Sequence, residues 1–243
     1  MIKSYLTYKR KASKTSSSPF VQDFITNILS KENDNQTEVE TLRKALLKNK
    51  TEIEITDFGA GSKKLSNHKR RICDIAKISG TPKKYTQVLS NLTAHYNSKS
   101  VLELGTSLGL GTLSLSSKTN DITSIEGDPL IHQFSSNQLS GSNIKFVNAQ
   151  FDDFIQEDEQ KYDLLFIDGN HSYEATMRYA DLLMKNSHDK SIFIFDDINW
   201  SDGMTKAWKE IVNSDRFSLT IDLFKLGICF RNPENSGNFI IKY

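Results

Sequence analysis

The feature that most constrains this chain is an apolar run that passes into a glycine-rich turn, VLELGTSLGLGT at residues 101–112. The pattern predicts a buried strand, a tight turn and the start of a helix. Glycine lets the backbone approach a ligand where a Cβ atom would collide, and the first turn of a helix offers free N–H groups. The run IEGD at residues 125–128 predicts a second strand that ends near Glu126, whose carboxylate can accept both hydroxyls of a ribose. Together the two runs predict a nucleoside-binding site at the carboxyl ends of parallel strands.

From residue 100 onward, short apolar runs alternate with segments of helical length. The predicted strands lie at 100–104, 122–126, 144–148, 163–168 and 191–196. This alternation is typical of an α/β fold with a parallel sheet. Two further β-rich runs, 217–230 and 238–243, flank the turn-rich segment 232–237 and predict an antiparallel hairpin at the end of the chain.

Composition narrows the class of protein. The chain has 243 residues, of which 37% are hydrophobic and 25% charged, and this is ordinary for a globular protein with a sizeable core. No apolar run approaches the roughly 20 residues that a membrane span needs, and the first residues lack the apolar core of a signal peptide. The two cysteines, Cys73 and Cys229, have no metal-ligand spacing. We therefore expect a reduced, cytoplasmic protein with no membrane partner.

The net charge of +1 hides a division along the chain. Residues 1–100 carry 19 Lys and Arg against 9 Asp and Glu, whereas residues 101–243 carry 12 against 21. A basic surface can attract an anionic substrate or nucleic acid, but it can equally be a solvated face that complements the acidic half. Because no basic motif interleaved with aromatic residues accompanies it, the solvated face is favoured.

The first third of the chain has a different rhythm. Amphipathic patterns predict short helices before residue 85, so residues 1–84 are interpreted as a mainly helical, basic extension or lid. Within it, TDFGAGS at residues 56–62 looks like a second glycine loop, but no strand that ends in an acid follows at the right distance. We interpret residues 57–62 as a structural turn or as a flexible lid over an active site.

Two later motifs extend the pattern of the nucleoside site. They are FIDGNHSYE at residues 166–174 and FIFDDI at residues 193–198. With the glycine turn and the ribose acid, in this order and spacing, they resemble the class I S-adenosylmethionine-dependent methyltransferases over about residues 85–243. They are most similar to the small-molecule O-methyltransferases of the catechol and caffeoyl-CoA type and to bacterial relatives that modify sugars and antibiotics. The resemblance implies a Rossmann-like sheet of seven mostly parallel strands with a C-terminal antiparallel hairpin, and S-adenosylmethionine as cofactor.

The resemblance also assigns cofactor contacts to individual residues. Glu103, Gly105, Ser107 and Gly109 would line the methionine and ribose side, and Glu126 would hold the ribose hydroxyls. Gln150 and Phe151 would lie near the adenine, and Asp168 would lie beside the cofactor at the end of its strand.

Three carboxylates are expected to converge next to the reactive methyl group. Asp168 should end the fourth strand of the resembling fold, and Asp196 and Asp197 should end the fifth. Like charges that close repel unless a cation or protons compensate, and Mg²⁺ accepts such oxygen ligands. The resembling enzymes carry metal ligands at these positions, so Mg²⁺ is a candidate second cofactor that would lower the pKa of an acceptor hydroxyl. The alternative is that the acids cap turns and helix starts.

His171 follows Asp168 by three residues, where the catechol-type enzymes carry a lysine that acts as general base. An imidazole can do this work near neutral pH, although a lone histidine after a strand is more often a hydrogen-bonding loop residue. We therefore predict transfer of a methyl group to an oxygen of a small-molecule acceptor, with a divalent metal, and with His171 and Asp168 as catalytic residues.

Other functions remain open at this stage. The basic runs at residues 63–64 and 69–71 allow the same fold to act on RNA or another anionic macromolecule, and a cofactor-binding module without catalysis is a third alternative. A nicotinamide enzyme is disfavoured because the glycine spacing departs from GxGxxG. Many proteins of the resembling class are dimers, so a homodimer is a candidate assembly.

Overall fold

The structure is a computed structural model that describes residues 2–32, 36–55, 69–116, 120–140, 143–232 and 234–243. The strands are β1 (Glu52–Glu54), β2 (Lys69–Arg71), β3 (Ser100–Leu104), β4 (Asp121–Glu126), β5 (Ile144–Asn148), β6 (Leu164–Ile167), β7 (Ile192–Phe195), β8 (Leu219–Asp222), β9 (Gly227–Phe230) and β10 (Gly237–Ile240). The helices are α1 (Ile2–Lys11), α2 (Pro19–Phe24), α3 (Gln36–Lys48), α4 (Ile72–Ser79), α5 (Lys83–His95), α6 (Leu110–Leu115), α7 (Pro129–Gln138), α8 (Phe151–Glu157), α9 (Tyr173–Leu182) and α10 (Asp202–Val212), and a short π-helix (Ile25–Leu29) continues α2.

The main sheet has eight strands in the order β10-β8-β9-β7-β6-β3-β4-β5. Every residue of β6 and β7 is buried, because helices cover both faces of the sheet, and this explains why these strands are continuous apolar runs. From β3 the chain proceeds outward through β4 and β5, whereas β6 and β7 lie on the other side of β3. The strand order therefore reverses between β3 and β6, and in such sheets ligands bind at the carboxyl ends of the strands beside this point.

The predicted fold class is confirmed, with one more strand than the seven expected. The antiparallel hairpin consists of β8 and β9, so it lies within residues 217–230 and not across the turn-rich segment 232–237. That segment leads instead to β10, which pairs parallel to β8 at the edge. Composition could not locate the hairpin turn, because the residue with a positive φ, 71°, is Phe224 and not a glycine. The backbone N–H of Phe224 donates a hydrogen bond to Asp222 Oδ1.

Residues before the predicted boundary at 85 contribute to the core. Val21, Phe24 and Ile28 are fully buried and belong to the same cluster as Ile194 and Phe230 of the sheet. A second cluster joins α3 and α4 to the segment just after the glycine turn. The division at residues 84 and 85 stays a prediction, and the glycine segment 57–62 lies outside the described residues. Within the described part of the chain, no helix has the length and apolarity needed to cross a membrane.

Truncation of the Phe24 side chain should destabilise the sheet and the N-terminal helices together. Phe24 is 0% exposed and packs edge-on against Phe230, so Phe24→Ala is expected to lower the free energy of unfolding by about 3–5 kcal/mol. Leu6→Ala is the matched control, because Leu6 is 60% exposed and should change stability little. Urea unfolding checks this, and a Phe24→Ala loss as small as that of Leu6→Ala would contradict the shared core.

Candidate active site

The glycine turn is pressed against the end of β6. A Cβ atom on Gly105 would lie 2.0 Å from the Asp168 carbonyl oxygen, and φ of Gly105 is +105°, so only glycine fits here. Its N–H also donates to the Ile125 carbonyl oxygen of β4 at 2.9 Å. Ser107 and Gly109 then take positive φ values of 48° and 82° and lead the chain into α6. The turn is thus fixed between two strands at the point where the strand order reverses.

Glu126 is held at the same edge by backbone amides. Its Oε2 accepts from the Ser107 N–H at 2.9 Å, and its Oε1 accepts from the Asp128 N–H at 3.0 Å. Asp128 in turn caps α7. Burial raises the pKa of the Glu126 carboxyl above its ordinary value. Each carboxylate oxygen keeps a lone pair, so the residue can still accept the hydroxyls of a ribose.

Glu103 is enclosed beneath the glycine turn, and its contact with the cofactor stays a prediction. The side chain is 0% exposed, and its Oε2 accepts from Thr112 Oγ1 at 2.5 Å and from Ser124 Oγ at 2.6 Å. Its Oε1 is buried without a hydrogen-bond partner among the described residues, and a Cβ atom on Gly111 would approach it to 2.8 Å. Burial raises the pKa of Glu103 to about 8. Glu103 therefore supports the turn from beneath, and it is not part of the cavity surface.

A small open cavity lies above the glycine turn. Gly105, Ser107 and Asp168 line it, in keeping with their predicted positions, whereas Gly109 faces the side chain of Leu139. Residues 79–81, at the end of α4 and in the loop before α5, also line the cavity. The sequence analysis did not identify them. The sequence signal for this segment was Gly80. A Cβ atom added at this position would lie 2.3 Å from the Ala76 carbonyl oxygen of α4. The N-terminal part of the chain thus completes the cavity wall.

The predicted adenine contacts lie at the next strand end. Gln150 is exposed at the start of α8, where its side chain makes no capping hydrogen bond. Phe151 packs against Gly169, where an added Cβ atom would be 2.5 Å from the ring, and against Tyr179 with ring centroids 5.7 Å apart. Phe151 is therefore held at the same edge, and its contact with adenine stays a prediction.

The acidic strand ends meet a lysine that the sequence analysis missed. Lys225, in the turn between β8 and β9, donates from Nζ to Asp196 Oδ2 at 2.7 Å and to Asp197 Oδ1 at 2.5 Å. Burial and the neighbouring Asp196 raise the pKa of Asp168 well above its usual range. Burial by itself would lower the pKa of Lys225, but the attraction of Asp196 and Asp197 more than offsets this, and the pKa lies above its ordinary value. The lysine is therefore a cation at neutral pH.

The predicted Mg²⁺ site of Asp168, Asp196 and Asp197 does not fit this arrangement. The ammonium of Lys225 already pairs with one oxygen of Asp196 and one oxygen of Asp197, so a metal would compete with it for these carboxylates, although Asp196 Oδ1 has no hydrogen-bond partner among the described residues. In the described part of the chain, no group of three acidic, histidine or cysteine side chains has an arrangement that could hold a metal ion. The compensating charge that the sequence analysis assigned to a metal is thus supplied by a side chain.

His171 is brought next to Asp168, as predicted. Its Nε2 lies 3.5 Å from Asp168 Oδ1, and its side chain is 25% exposed. The ring of Trp200 lies on the other side, with centroids 6.2 Å apart, and Trp200 itself is 46% exposed. The imidazole of His171 therefore lies near both the half-buried carboxyl group of Asp168 and the exposed ring of Trp200, at the carboxyl edge of the sheet.

Comparison with known proteins agrees with this geometry. The family model described as a methyltransferase domain matches residues 102–198, which span the glycine turn and both acidic strand ends. No curated protein matches the sequence.

Solved structures share the fold at low sequence identity. A methyltransferase of Podospora anserina bound to S-adenosylhomocysteine is 13% identical, with 90% of this chain and 98% of that chain covered and a TM-score of 0.59. An O-methyltransferase of Bacillus cereus in complex with S-adenosylhomocysteine is 15% identical, with coverage of 86% and 95% and a TM-score of 0.55. An O-methyltransferase of Streptomyces achromogenes involved in tomaymycin synthesis, in complex with S-adenosylmethionine, is 12% identical, with coverage of 86% and 94% and a TM-score of 0.54.

Residues 102–198 are thus similar to a methyltransferase domain, and the chain shares the fold of these methyltransferase structures, in keeping with the predicted class.

Glu103→Gln should change how stability depends on pH. The raised pKa of about 8 means that the folded protein keeps a proton on Glu103 that the unfolded chain releases above about pH 4.5. Stability is therefore lost as the pH rises between these values, by at most about 1.4 kcal/mol per pH unit. We expect the difference in free energy of unfolding between Glu103→Gln and the parent to move in favour of the variant from pH 5 to pH 8. Parallel pH profiles in chemical denaturation would show that Glu103 ionises normally.

Glu126→Ala should weaken cofactor binding without unfolding the protein. The substitution removes the carboxylate that faces the ribose position, and hydrogen bonds to a charged group contribute about 1.5–3 kcal/mol. We expect the Kd for S-adenosylhomocysteine to rise at least tenfold in calorimetry. Glu157→Ala, at the exposed end of α8, is the matched control and should leave the Kd unchanged. An unchanged Kd in Glu126→Ala would remove the ribose assignment.

Proposed function

We propose that this chain transfers the methyl group of S-adenosylmethionine to an oxygen of a small-molecule acceptor. The observation that carries the proposal is the pairing of His171 with Asp168 beside the cavity, at the point where the strand order reverses. A base that is oriented by a carboxyl group is what an acceptor hydroxyl needs in order to react. Two of the similar solved structures are O-methyltransferases, which supports oxygen as the accepting atom.

The loop residues and Glu126 provide the cofactor side of the reaction. The cavity above Gly105 and Ser107 receives the methionine part, and Glu126 receives the ribose. The cofactor, when bound, supplies a methyl group on a sulfonium that is already activated. The protein therefore needs chiefly to align the two reactants and to remove a proton from the acceptor.

His171 provides the proton transfer. Its Nε2 lies 3.5 Å from Asp168 Oδ1, so Nδ1 is the nitrogen that accepts the acceptor proton. As that proton moves to Nδ1, the acceptor oxygen forms a bond to the methyl carbon, and the carbon–sulfur bond breaks with its electron pair left on sulfur. Asp168 remains beside the imidazolium and keeps its orientation.

Trp200 favours an acceptor with an apolar or aromatic part. Its ring is close to His171 and 46% exposed, although a side chain of this size is usually buried. An acceptor ring stacked there would place a hydroxyl near the imidazole. The involvement of one similar O-methyltransferase in tomaymycin synthesis is consistent with a small organic acceptor.

The basic run 69–71 gives weaker support to an RNA substrate. Lys69 and Arg71 of β2 stand opposite Glu54 and Glu52 of β1. Arg71 also forms an ion pair with Asp74 at 2.7 Å. Acids on neighbouring elements lie beside two of these cations, which favours a solvated face, and the RNA substrate stays a prediction. The other basic run, residues 63–64, lies outside the described residues. The homodimer stays a prediction.

Calorimetric titration of S-adenosylhomocysteine, followed by an acceptor screen, tests the proposal. We expect micromolar binding and turnover of a hydroxylated small molecule. Failure to bind would overturn the cofactor assignment. Tight binding without turnover of any acceptor class would favour the module without catalysis, and salt-sensitive binding of RNA would favour the macromolecular substrate.

His171→Ala should lower kcat while cofactor binding is retained. General-base catalysis typically contributes about 10²- to 10⁴-fold to the rate, and no cofactor contact is assigned to this imidazole. The readouts are kcat for the acceptor found in the screen and the Kd for S-adenosylhomocysteine. His95→Ala is the control, because His95 pairs with Asp23 at a distance from the carboxyl edge. Full activity of His171→Ala would assign the base to another group.

A further inference from the structure

The turn between β8 and β9 carries a cation into the acidic edge of the sheet. Lys225 Nζ bridges Asp196 and Asp197, which directly follow β7. The lysine side chain is 20% exposed, and the side chains of Asp196 and Asp197 are 4% and 28% exposed. Two carboxylates and one ammonium therefore form a mostly buried cluster that joins two separate elements of the sheet.

Two hydrogen bonds to backbone carbonyl oxygens hold the β8–β9 turn against the segment that follows β7. The Ile198 N–H donates to the Lys225 carbonyl oxygen at 3.1 Å, and Asn199 Nδ2 donates to the Phe224 carbonyl oxygen at 2.9 Å. Asp197 and Phe224, one on each segment, both adopt left-handed backbone conformations. Such conformations cost energy and persist where the surroundings fix them. The backbone around Lys225 is therefore fixed, and the lysine side chain is held next to Asp196 and Asp197.

The same oxygens cannot serve an ammonium and a divalent metal together. Mg²⁺ requires carboxylate oxygens at about 2.0–2.1 Å, and two of the available oxygens already accept hydrogen bonds from Lys225. A metal would have to displace the lysine and would leave a buried cation without its partners, which is unfavourable. The third carboxyl group, Asp168, lies next to Asp196 as well as 3.5 Å from His171 Nε2, so it belongs to the same cluster.

We propose that Lys225 takes the place of a divalent metal in this chain, and that it is the positioning residue that holds Asp196 and Asp197 at the acceptor side. The inference rests on the proposed function for its catalytic meaning, because the acceptor would bind beside this cluster. Independently of any reaction, the acidic edge excludes metal ions as long as Lys225 is present. Methyl transfer would then proceed with full activity in the presence of a chelator.

Metal binding by the purified full-length chain tests the statement without any acceptor. The probe is Mn²⁺, followed by its electron paramagnetic resonance signal. We expect the parent protein not to bind Mn²⁺ through Asp196 and Asp197. Lys225→Met keeps the length of the side chain and removes its charge, and it should bind Mn²⁺ at least tenfold more tightly than the parent. Lys206→Met is the matched control on an exposed lysine of α10 and should behave as the parent does.

Two further variants connect the signal to the site. Lys225→Arg keeps a cation and should exclude Mn²⁺ as the parent does. Adding Asp196→Asn and Asp197→Asn to Lys225→Met should remove the new Mn²⁺ binding. If Lys225→Met does not fold, Lys225→Gln and the parent titration carry the test. Tight Mn²⁺ binding by the parent that is lost in Asp197→Asn would overturn the proposal.

Activity provides the catalytic readout. With an acceptor in hand, a chelator should leave the parent rate unchanged. Lys225→Met should raise KM for the acceptor more than it raises the Kd for S-adenosylhomocysteine, and Lys225→Arg should restore part of the loss. Parent activity that requires added Mg²⁺ would overturn the lysine proposal while leaving the proposed methyl transfer intact. Absence of S-adenosylhomocysteine binding would overturn the proposed function while leaving the Mn²⁺ result interpretable.

Discussion

Buried carboxyl groups at the carboxyl edge of the sheet are the constraint on which the site depends, because each needs a compensating partner. The structure satisfies them in three different ways. Glu126 receives backbone N–H groups from the glycine turn and from the start of α7. Glu103 receives two hydroxyl groups and, with its raised pKa of about 8, keeps a proton at neutral pH. Asp196 receives an ammonium from a distant turn. The shape of the cavity follows from these partners, since each one fixes a loop that lines it or lies beside it.

The N-terminal segment belongs to the same physical unit as the sheet. The α2 helix and the π-helix that continues it share a core with the central strands, and residues 79–81 close one side of the cavity above the glycine turn. A change in the packing of α4 would therefore alter the space available to the cofactor, although no residue of that helix is assigned to chemistry. The division of the chain at residues 84 and 85 therefore stays a prediction.

Much of the fold could be predicted because it depends on local patterns. Continuous apolar runs identified the buried strands, and residues at the ends of different strands, such as Asp168 and Asp196, could be placed together because parallel strands end on one edge. Lys225 could not be placed, since it is separated from Asp197 by a helix and a strand and lies in a turn without glycine or proline. The surroundings of Glu103 could not be predicted for a related reason. An acid inside an apolar run gives no sign of whether it faces a cavity or the underside of a helix, and the side chains of α6 and β4 decide this.

A lysine in place of a metal changes what the remaining residues must do. A divalent metal can bind an acceptor hydroxyl directly and lower its pKa, so that little further proton transfer is needed. An ammonium carries half the charge, and Lys225 already donates to two carboxylates, so it polarises an acceptor oxygen far less. The proton must then be taken by a base, and the imidazole of His171 lies at this edge beside Asp168. Under the proposed function, the lysine and the histidine are two parts of one arrangement, in which Lys225 would fix the acidic loop and His171 would activate the acceptor.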